Sequence, residues 1–370
     1  MHSDLLLVIV VGAALAFDFT NGFHDTANVV AASISTRALS PRTAVTIAAA
    51  LNFAGAFISL KVAATIGSGI FATARITETI VFAGLIGAIA WNLVTWFVGL
   101  PSSSSHALIG GVTGAMLAAV GGSGVKGQAL IRTVVAPAVV APVLAFAVAG
   151  ISILIVYRLV GRRRPGVVTD GFRLGQIAST SMLSLAHGTN DAQKTMGVIT
   201  LALVAHGSIS ERHFHVPTWV VVSAASAIAL GTYAGGWRII RTVGTRIIKM
   251  DIAQGFTAQG AGAAVILASS HFGYPLSTTQ VISGGIMGAG AAKRFSAVRW
   301  GVAGNIVAAW ILTIPAAGLA GALTYGVADM FGAGVLGPIL ITILALGVLG
   351  SALVRRGRSA YPGARARAHA

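Results

Sequence analysis

The chain has no cysteine, and Asp and Glu together number only nine in 370 residues. Without cysteine there is no disulfide, no thiolate metal site and no cysteine nucleophile, although in a membrane chain this says little about compartment. Charged residues of both signs amount to 9%, against 55% hydrophobic, which excludes an ordinary soluble domain. Alternating polarity is absent as well. Apolar blocks run unbroken, as over residues 134–156, where a β-barrel strand would alternate. No basic leader precedes the first apolar run, which leads straight into a polar motif, so the N-terminus is expected to be retained rather than removed as a signal. A net charge of +16 would suggest nucleic acid in a soluble protein. Here the basic residues sit between apolar blocks, where the positive-inside rule and anionic lipid headgroups account for them, and no nucleic-acid partner is expected.

With acids this scarce, their positions carry information. The segment Asn21-Gly-Phe-His-Asp-Thr-Ala-Asn28 sets His24 and Asp25 inside an apolar stretch, and an altered copy, His187-Gly-Thr-Asn-Asp-Ala-Gln-Lys194, does so again. Residues 5–17 would make roughly 20 Å of helix, too short for a hydrocarbon core of about 30 Å. Apolar sequence resumes at Val29, so the simplest expectation is one span broken near its midpoint by Asp18, Asn21, Gly22, His24, Asp25 and Asn28. Unwound backbone at that depth is tolerated only where protein covers it or a polar cavity meets it, and broken helices around a midplane cavity are a common way to build a transport site.

Taken in order, residues 43–60 are expected to cross back and 61–78 to form a mixed loop. Residues 79–98 and 102–120 make an apolar pair joined at Gly99-Leu-Pro-Ser-Ser-Ser-Ser-His106, and after a Gly-rich loop with Lys126 and Arg132 residues 134–156 span. The second half retraces this path. Residues 174–204 hold the second motif, 217–235 cross back, 253–270 and 276–292 pair through Tyr274-Pro-Leu-Ser-Thr-Thr-Gln280, and 300–323 span. Pro101 with Gly110, Gly111 and Gly114 aligns with Pro275, Gly284, Gly285 and Gly288 at identical spacing, which is an internal repeat. Five crossings per half invert the second copy. The expected fold class is all-α: a polytopic membrane protein of about eleven helical segments, two inverted-topology repeats with broken helices and re-entrant or paired hairpin helices. Residues 1–160 form the first repeat, 161–173 a basic cytoplasmic linker and 174–326 the second repeat. An extra transmembrane helix at 327–354 and a basic, disordered tail at 355–370 follow. Placing Arg158, Arg162, Arg163, Arg164 and Arg173 inside leaves the N-terminus outside and the C-terminus cytoplasmic.

Two constellations carry chemistry. Proline at a helix start with Ser or Thr at the cap leaves backbone N–H groups pointing outward, and the helix dipole adds to them. Ser103, Ser104, Ser105, Ser277, Thr278 and Thr279 are therefore candidates for holding a tetrahedral oxyanion, the plainer alternative being close helix packing. A carboxylate cannot help to bind an anion directly, so Asp25 and Asp191 are candidates for a coupling cation, a proton or a divalent metal, with structural capping as the alternative. Asn28, Asn190 and Gln193 would complete that shell. Lys194, three residues after Asp191, either stands in for a bound cation or pairs with Asp191. His24, His106 and His187 lie inside the motifs and are candidate proton handlers, or else hydrogen-bonded core residues. Asp18, whose repeat counterpart is Ser184, is open between capping and cation binding.

On these residues the chain resembles the inorganic phosphate transporter (PiT) family, whose signature is a duplicated Gly-x-Asn-Asp-like motif. The matching segments are Gly22-Phe-His-Asp-Thr-Ala-Asn28 and Gly188-Thr-Asn-Asp-Ala-Gln-Lys194, with residues 101–106 and 275–280 as the second pair, so the likeness covers about residues 5 to 330. It implies secondary transport of phosphate, driven by protons or sodium, at the plasma or bacterial inner membrane. His24 and Lys194 depart from the general signature, which has Asn at both places. Both departures are similar to the bacterial low-affinity, proton-coupled branch, which implies import of phosphate as a neutral complex with a divalent metal such as magnesium. No resident cofactor is implied.

The leading expectation is thus proton symport of inorganic phosphate in a lipid-embedded protein that is not an enzyme, with a homodimer left open. Sodium-coupled phosphate symport and sulfate permeation on the same fold are the near alternatives, and a passive channel is a third. An intramembrane serine hydrolase is the remote one, since Ser, His and Asp coincide at membrane depth. The repeat argues against it: both halves carry hydroxyl clusters, whereas a hydrolase needs one nucleophile, and Gln280 replaces His106 in the second copy.

Overall fold

The computed structural model describes residues 4–160, 165–332 and 334–360, with side chains throughout except at 165, 167, 168, 349, 350 and 352–360. Arg162, Arg163 and Arg164 of the expected linker and residues 361–370 of the expected tail lie outside these. Among the described residues the regular secondary structure is helical throughout, apart from one isolated β-bridge between Phe71 and Val125. The first half comprises α1 (Asp4–Ser35), α2 (Pro41–Gly55), α3 (Lys61–Ala64), α4 (Glu78–Val98), α5 (Ser104–Val120), α6 (Gly127–Leu130) and α7 (Ala136–Val160). The second comprises α8 (Pro165–His206), α9 (Thr218–Ala234), α10 (Trp237–Arg241), α11 (Ile252–Phe272), α12 (Thr278–Lys293) and α13 (Trp300–Asp329), and α14 (Leu336–Ala360) closes the chain. Helix α14 passes Arg355, where the tail was expected to begin, and Arg173 of the linker is already in α8. Asp4–Ser35, Glu78–Val98, Ser104–Gly124, Gly127–Val160 and Trp300–Asp329 are each long and apolar enough to cross a membrane, and Thr218–Ala234 with Trp237–Arg246 makes a sixth as a bent pair.

The expected break in the first motif is absent. Helix α1 runs unbroken through Asp18 to Asn28, and α8 likewise through His187 to Lys194. No proline interrupts either motif, and the hydroxyls of Thr20 and Thr26 fold back on the carbonyls of Phe17 and Gly22 at 2.7 and 2.6 Å, so the polar side chains leave the backbone ladder intact. The breaks fall instead in the return spans. Helix α2 stops at Gly55 before α3 begins at Lys61, so 61–78 is partly helical rather than a loop, and α9 meets the following turn at 59° around Gly235 and Gly236. Lys126 precedes α6, and Arg132, expected in a loop, belongs to the helical turn Ile131–Val135 that runs into α7.

The two halves pack with the same pattern and exchange parts. Helix α1 lies against α9 and α4, as α8 lies against α2 and α11. The pair α4/α5 packs on α13 of the second half, and the pair α11/α12 on α7 of the first. Repeat-related glycines make these crossings close. A Cβ on Gly22 would strike the backbone of α9 at Ile228, and one on Gly188 the backbone of α2 at Asn52. Gly114 and Gly288 meet α13 at Gly318 and α7 at Phe146 in the same way. Two cores result, one around α4, α5 and the far half of α8, the other around α2, α11 and α12, with α1 and α8 running through both.

Because these crossings leave no room, Gly114→Val and Gly288→Val are each expected to cost about 1–3 kcal/mol of stability. Gly301→Ala, whose Cβ would meet open space, should be neutral. Thermal melting of the purified protein in detergent checks the contrast.

Candidate functional site

Asp25 on α1 and Asp191 on α8 come together at the crossing of the two long helices. Oxygens of both carboxylates and a ring nitrogen of His187 lie within 4.8 Å of one another, with all three residues buried. Two helix starts arrive at this point. Helix α4 ends in Gly99 at φ 75° and α11 in Gly273 at φ 80°, left-handed turns that suit glycine, and Pro101 and Pro275 then lead the chain back. Ser103 and Ser277 cap α5 and α12: their Oγ atoms accept from the backbone N–H of His106 and Gln280 at 3.1 and 3.3 Å. The first helical residues Ser104, Thr278 and Thr279 are thereby held at the carboxylates, and Ser105 beside them at Lys194 and the Leu276 carbonyl, with the unpaired N–H groups of two helix starts.

Ser104 Oγ lies 2.5 Å from Asp25 Oδ2 and 2.7 Å from Asn21 Oδ1. Thr278 Oγ1 reaches both acids, at 3.4 Å from Asp25 and 3.3 Å from Asp191, and Thr279 Oγ1 sits 3.3 Å from Asp25 Oδ1. Asn28 Nδ2 donates to Thr279 Oγ1 at 2.8 Å. Lys194 Nζ meets Asp191 Oδ1 at 2.5 Å, the carbonyl of Leu276 at 2.7 Å, and Ser105 Oγ. His24 Nδ1 lies 2.7 Å from Asp25 Oδ1, and His187 Nε2 3.2 Å from Asp191 Oδ2. Asp18, on the same face of α1, is fully buried within electrostatic reach of Asp191 and Lys194.

Other candidates from the sequence stand back from this centre. His106 faces its repeat counterpart Gln280 at 3.4 Å rather than either acid. Asn190 Nδ2 turns to Ser270 Oγ and the Tyr274 carbonyl, fixing the turn after α11. Gln193 Oε1 accepts from the backbone N–H groups of Val62 and Ala63 and so caps the start of α3. These two residues anchor the broken regions around the site instead of completing its shell.

Two site neighbours escaped the sequence reading. Thr95 Oγ1 lies 3.2 Å from His24 Nε2 and accepts from Ser102 Oγ at 2.8 Å. Asn52 Oδ1 lies 3.2 Å from His187 Nδ1, while Asn52 Nδ2 donates to Thr232 Oγ1 at 2.8 Å. Asn52 stands in an otherwise apolar span, and a polar side chain at that depth is a signal in itself. Thr95 gives no such signal, because threonine is common in membrane helices.

The chemistry open to this arrangement follows from charge. Three buried carboxylates, Asp18, Asp25 and Asp191, share the region with one ammonium, so further positive charge is favoured there. Hydroxyls that donate to the acids when these are alone become available to an oxyanion once a cation or proton occupies the acids. A nucleophilic serine is not laid out. Ser102 does approach His24, which touches Asp25, but its hydroxyl donates to Thr95 and lies 3.5 Å from the imidazole.

Comparison with known proteins gives a consistent result. The model of the phosphate transporter family matches residues 21–169 and 163–321. A relative from Mycobacterium tuberculosis (strain ATCC 25618 / H37Rv), named "Probable low-affinity inorganic phosphate transporter", is 55% identical over 327 residues, 88% of this chain and 78% of the relative. Proteins of the same name from Rhizobium meliloti (strain 1021) and Bacillus subtilis (strain 168) are 50% and 42% identical, again over 88% of this chain and over 97% and 98% of their own. A solved structure titled "The sodium-dependent phosphate transporter" superposes with a TM-score of 0.78 at 25% identity, covering 88% of this chain and 99% of that one.

If Ser103 and Ser277 act as caps, Ser103→Ala and Ser277→Ala should each lower stability by about 1 kcal/mol, and Ser→Asn at either position should recover most of it. Melting curves in detergent decide this, since failure of Asn to rescue would place these hydroxyls elsewhere.

Proposed function

The chain belongs to the phosphate transporter family, and from that premise we propose that it imports inorganic phosphate by proton symport, the two halves rocking about the Asp25/Asp191 site. The observation that carries the proposal is the convergence of two helix starts, with the hydroxyls of Ser104, Thr278 and Thr279, on two acids that lie within 4.8 Å. Ser104, Ser105, Thr278, Thr279 and the N–H groups behind them hold the oxyanion, while Ser103 and Ser277 hold the helix starts in place. Asp25 and Asp191 take up the driving proton or, with His187, a divalent metal that travels with phosphate; carboxylate and imidazole suit such an ion. His24 and His187, which touch the acids, are placed for proton passage. His106 faces Gln280 instead.

Coupling follows from electrostatics. An oxyanion beside two ionised carboxylates is repelled in a region of low dielectric, so anion and positive charge enter together. The basic turns at Arg37, Arg42 and Arg238 with Arg241 face the cytoplasm under the positive-inside rule, which sets the N-terminus outside the plasma membrane and the C-terminus within. Lipid covers the exposed apolar face of α7, including Val139, Val143, Ile151 and Leu159.

Uptake of radiolabelled phosphate into proteoliposomes tests the proposal, comparing a proton gradient with a sodium gradient, with and without magnesium, and with sulfate as competitor. Proton-driven accumulation is expected, and Asp25→Asn and Asp191→Asn should abolish it. Ser104→Ala and Thr278→Ala should weaken phosphate affinity roughly tenfold to a hundredfold, the worth of a hydrogen bond to a charged group. Saturable sulfate uptake without phosphate uptake would move the substrate, and sodium-driven uptake indifferent to pH would move the coupling ion.

A further inference from the structure

Lys194 is among the largest fully buried side chains, at 1% exposure. Its ammonium is held by three oxygens of three kinds: the Asp191 carboxylate at 2.5 Å, the Leu276 carbonyl at 2.7 Å and the Ser105 hydroxyl. Carboxylate, carbonyl and hydroxyl oxygens are the donors that proteins offer to hard cations. Leu276 lies in the stretch between α11 and α12, so its carbonyl is turned to Lys194 and to Ser105 Oγ rather than into a helix ladder.

The internal repeat supplies the comparison. The counterparts of Asp191, Ser105 and Leu276 are Asp25, Thr279 and Ser102, and the counterpart of Lys194 is Asn28. Asn28 donates to Thr279 Oγ1 at 2.8 Å, as Lys194 meets Ser105, but it is uncharged and too short to reach the rest of the set. Asp25 is met by His24, Ser104, Thr278 and Thr279, none of them a permanent cation. One half therefore carries a fixed positive charge where the other carries none.

We propose that Lys194 is a tethered cation: its ammonium permanently fills a monovalent-cation site formed by Asp191, Ser105 and the Leu276 carbonyl, which narrows the uptake of the driving ion from the two acids to Asp25. The consequence for coupling rests on the symport reading; the site itself rests on the oxygens around Nζ. Removing one partner of a buried ion pair leaves an uncompensated charge, which is a strong incentive for a mobile ion to replace it. Lys194→Asn gives the second half the residue already present in the first and should unmask the site for sodium.

The test uses purified full-length protein in phosphate-free detergent, with sodium chloride exchanged for choline chloride at constant ionic strength. Lys194→Asn should bind 22Na+ saturably with one site per chain more than wild type. Its melting temperature should rise by several degrees with sodium, as linkage requires, while wild type shows no such sodium-specific rise. Adding Asp191→Asn should remove both effects. A folded, monodisperse Lys194→Asn protein that binds no more sodium than wild type, or keeps the added binding after Asp191→Asn, overturns the proposal. Should the Asn variant not fold, Asn28→Lys carries the test: a second tethered ammonium should reduce proton-driven accumulation at least tenfold, and unchanged accumulation would refute the idea. The sodium-binding arm contains no phosphate, so a wild-type protein that moves no phosphate would sink the transport reading and leave this result legible.

Discussion

Asp25 and Asp191 repel each other, and their burial removes the water that would screen them. Everything around them answers that repulsion. Lys194 and His187 attend Asp191, His24 attends Asp25, and hydroxyls from two separate helix starts fill the remaining acceptor positions. Those starts reach the acids only because α1 and α8 cross their neighbours closely, which Gly22 and Gly188 permit. The glycines, the capped helix starts and the two acids thus form one mechanical unit. A side chain added at either glycine would move a carboxylate as well as a helix.

Much of this was legible in the sequence because repetition marks it. The polar motifs, the proline-led hydroxyl clusters and the matched glycines gave the pairing of halves, and the structure finds α4/α5 and α11/α12 close to their expected bounds. The motif helices were misjudged for a physical reason. Polar residues at 18–28 suggested unwinding, but side chains can be satisfied laterally by other helices, some of them from the other half of the chain, which a linear sequence does not display. The breaks went instead to the return spans, where Gly55, Gly235 and Gly236 gave a local cue that apolar composition masked. Asn190 and Gln193 show the reverse error. Residues next to a functional acid need not join it, because consecutive positions on a helix point about 100° apart.

The exchange of helices between halves bears on movement. Had each half packed only on itself, two bundles could separate along a simple interface. Here α7 leaves the first half to cover α12, and α13 leaves the second to cover α5, so each helix start that holds the site is backed by a helix from the opposite repeat. On the proposed function, rocking is taken up where the backbone already bends, at residues 56–60 and 235–236, rather than in the motif helices. Continuous α1 and α8 then act as levers that carry Asp25 and Asp191 together. On the proposed function, this keeps the two acids paired throughout a cycle in which access changes sides.

Symmetry and its lapses divide the labour. The contacts that set geometry obey the repeat: Gly99 and Gly273 turn the chain alike, Ser103 and Ser277 cap alike, and Gly114 and Gly288 cross alike. The lapses include several ionisable groups, with Asp18 against Ser184, Asn21 against His187, Asn28 against Lys194 and His106 against Gln280. On the proposed function, two inverted halves of like shape give outward-facing and inward-facing states of similar energy, which reversible movement needs. Two halves of like charge would demand an identical ion at each acid. Asp191 has a resident ammonium and Asp25 has none, so on the proposed function the mechanical equality is kept, the electrostatic one is removed, and a single mobile positive charge is enough to make the anion welcome.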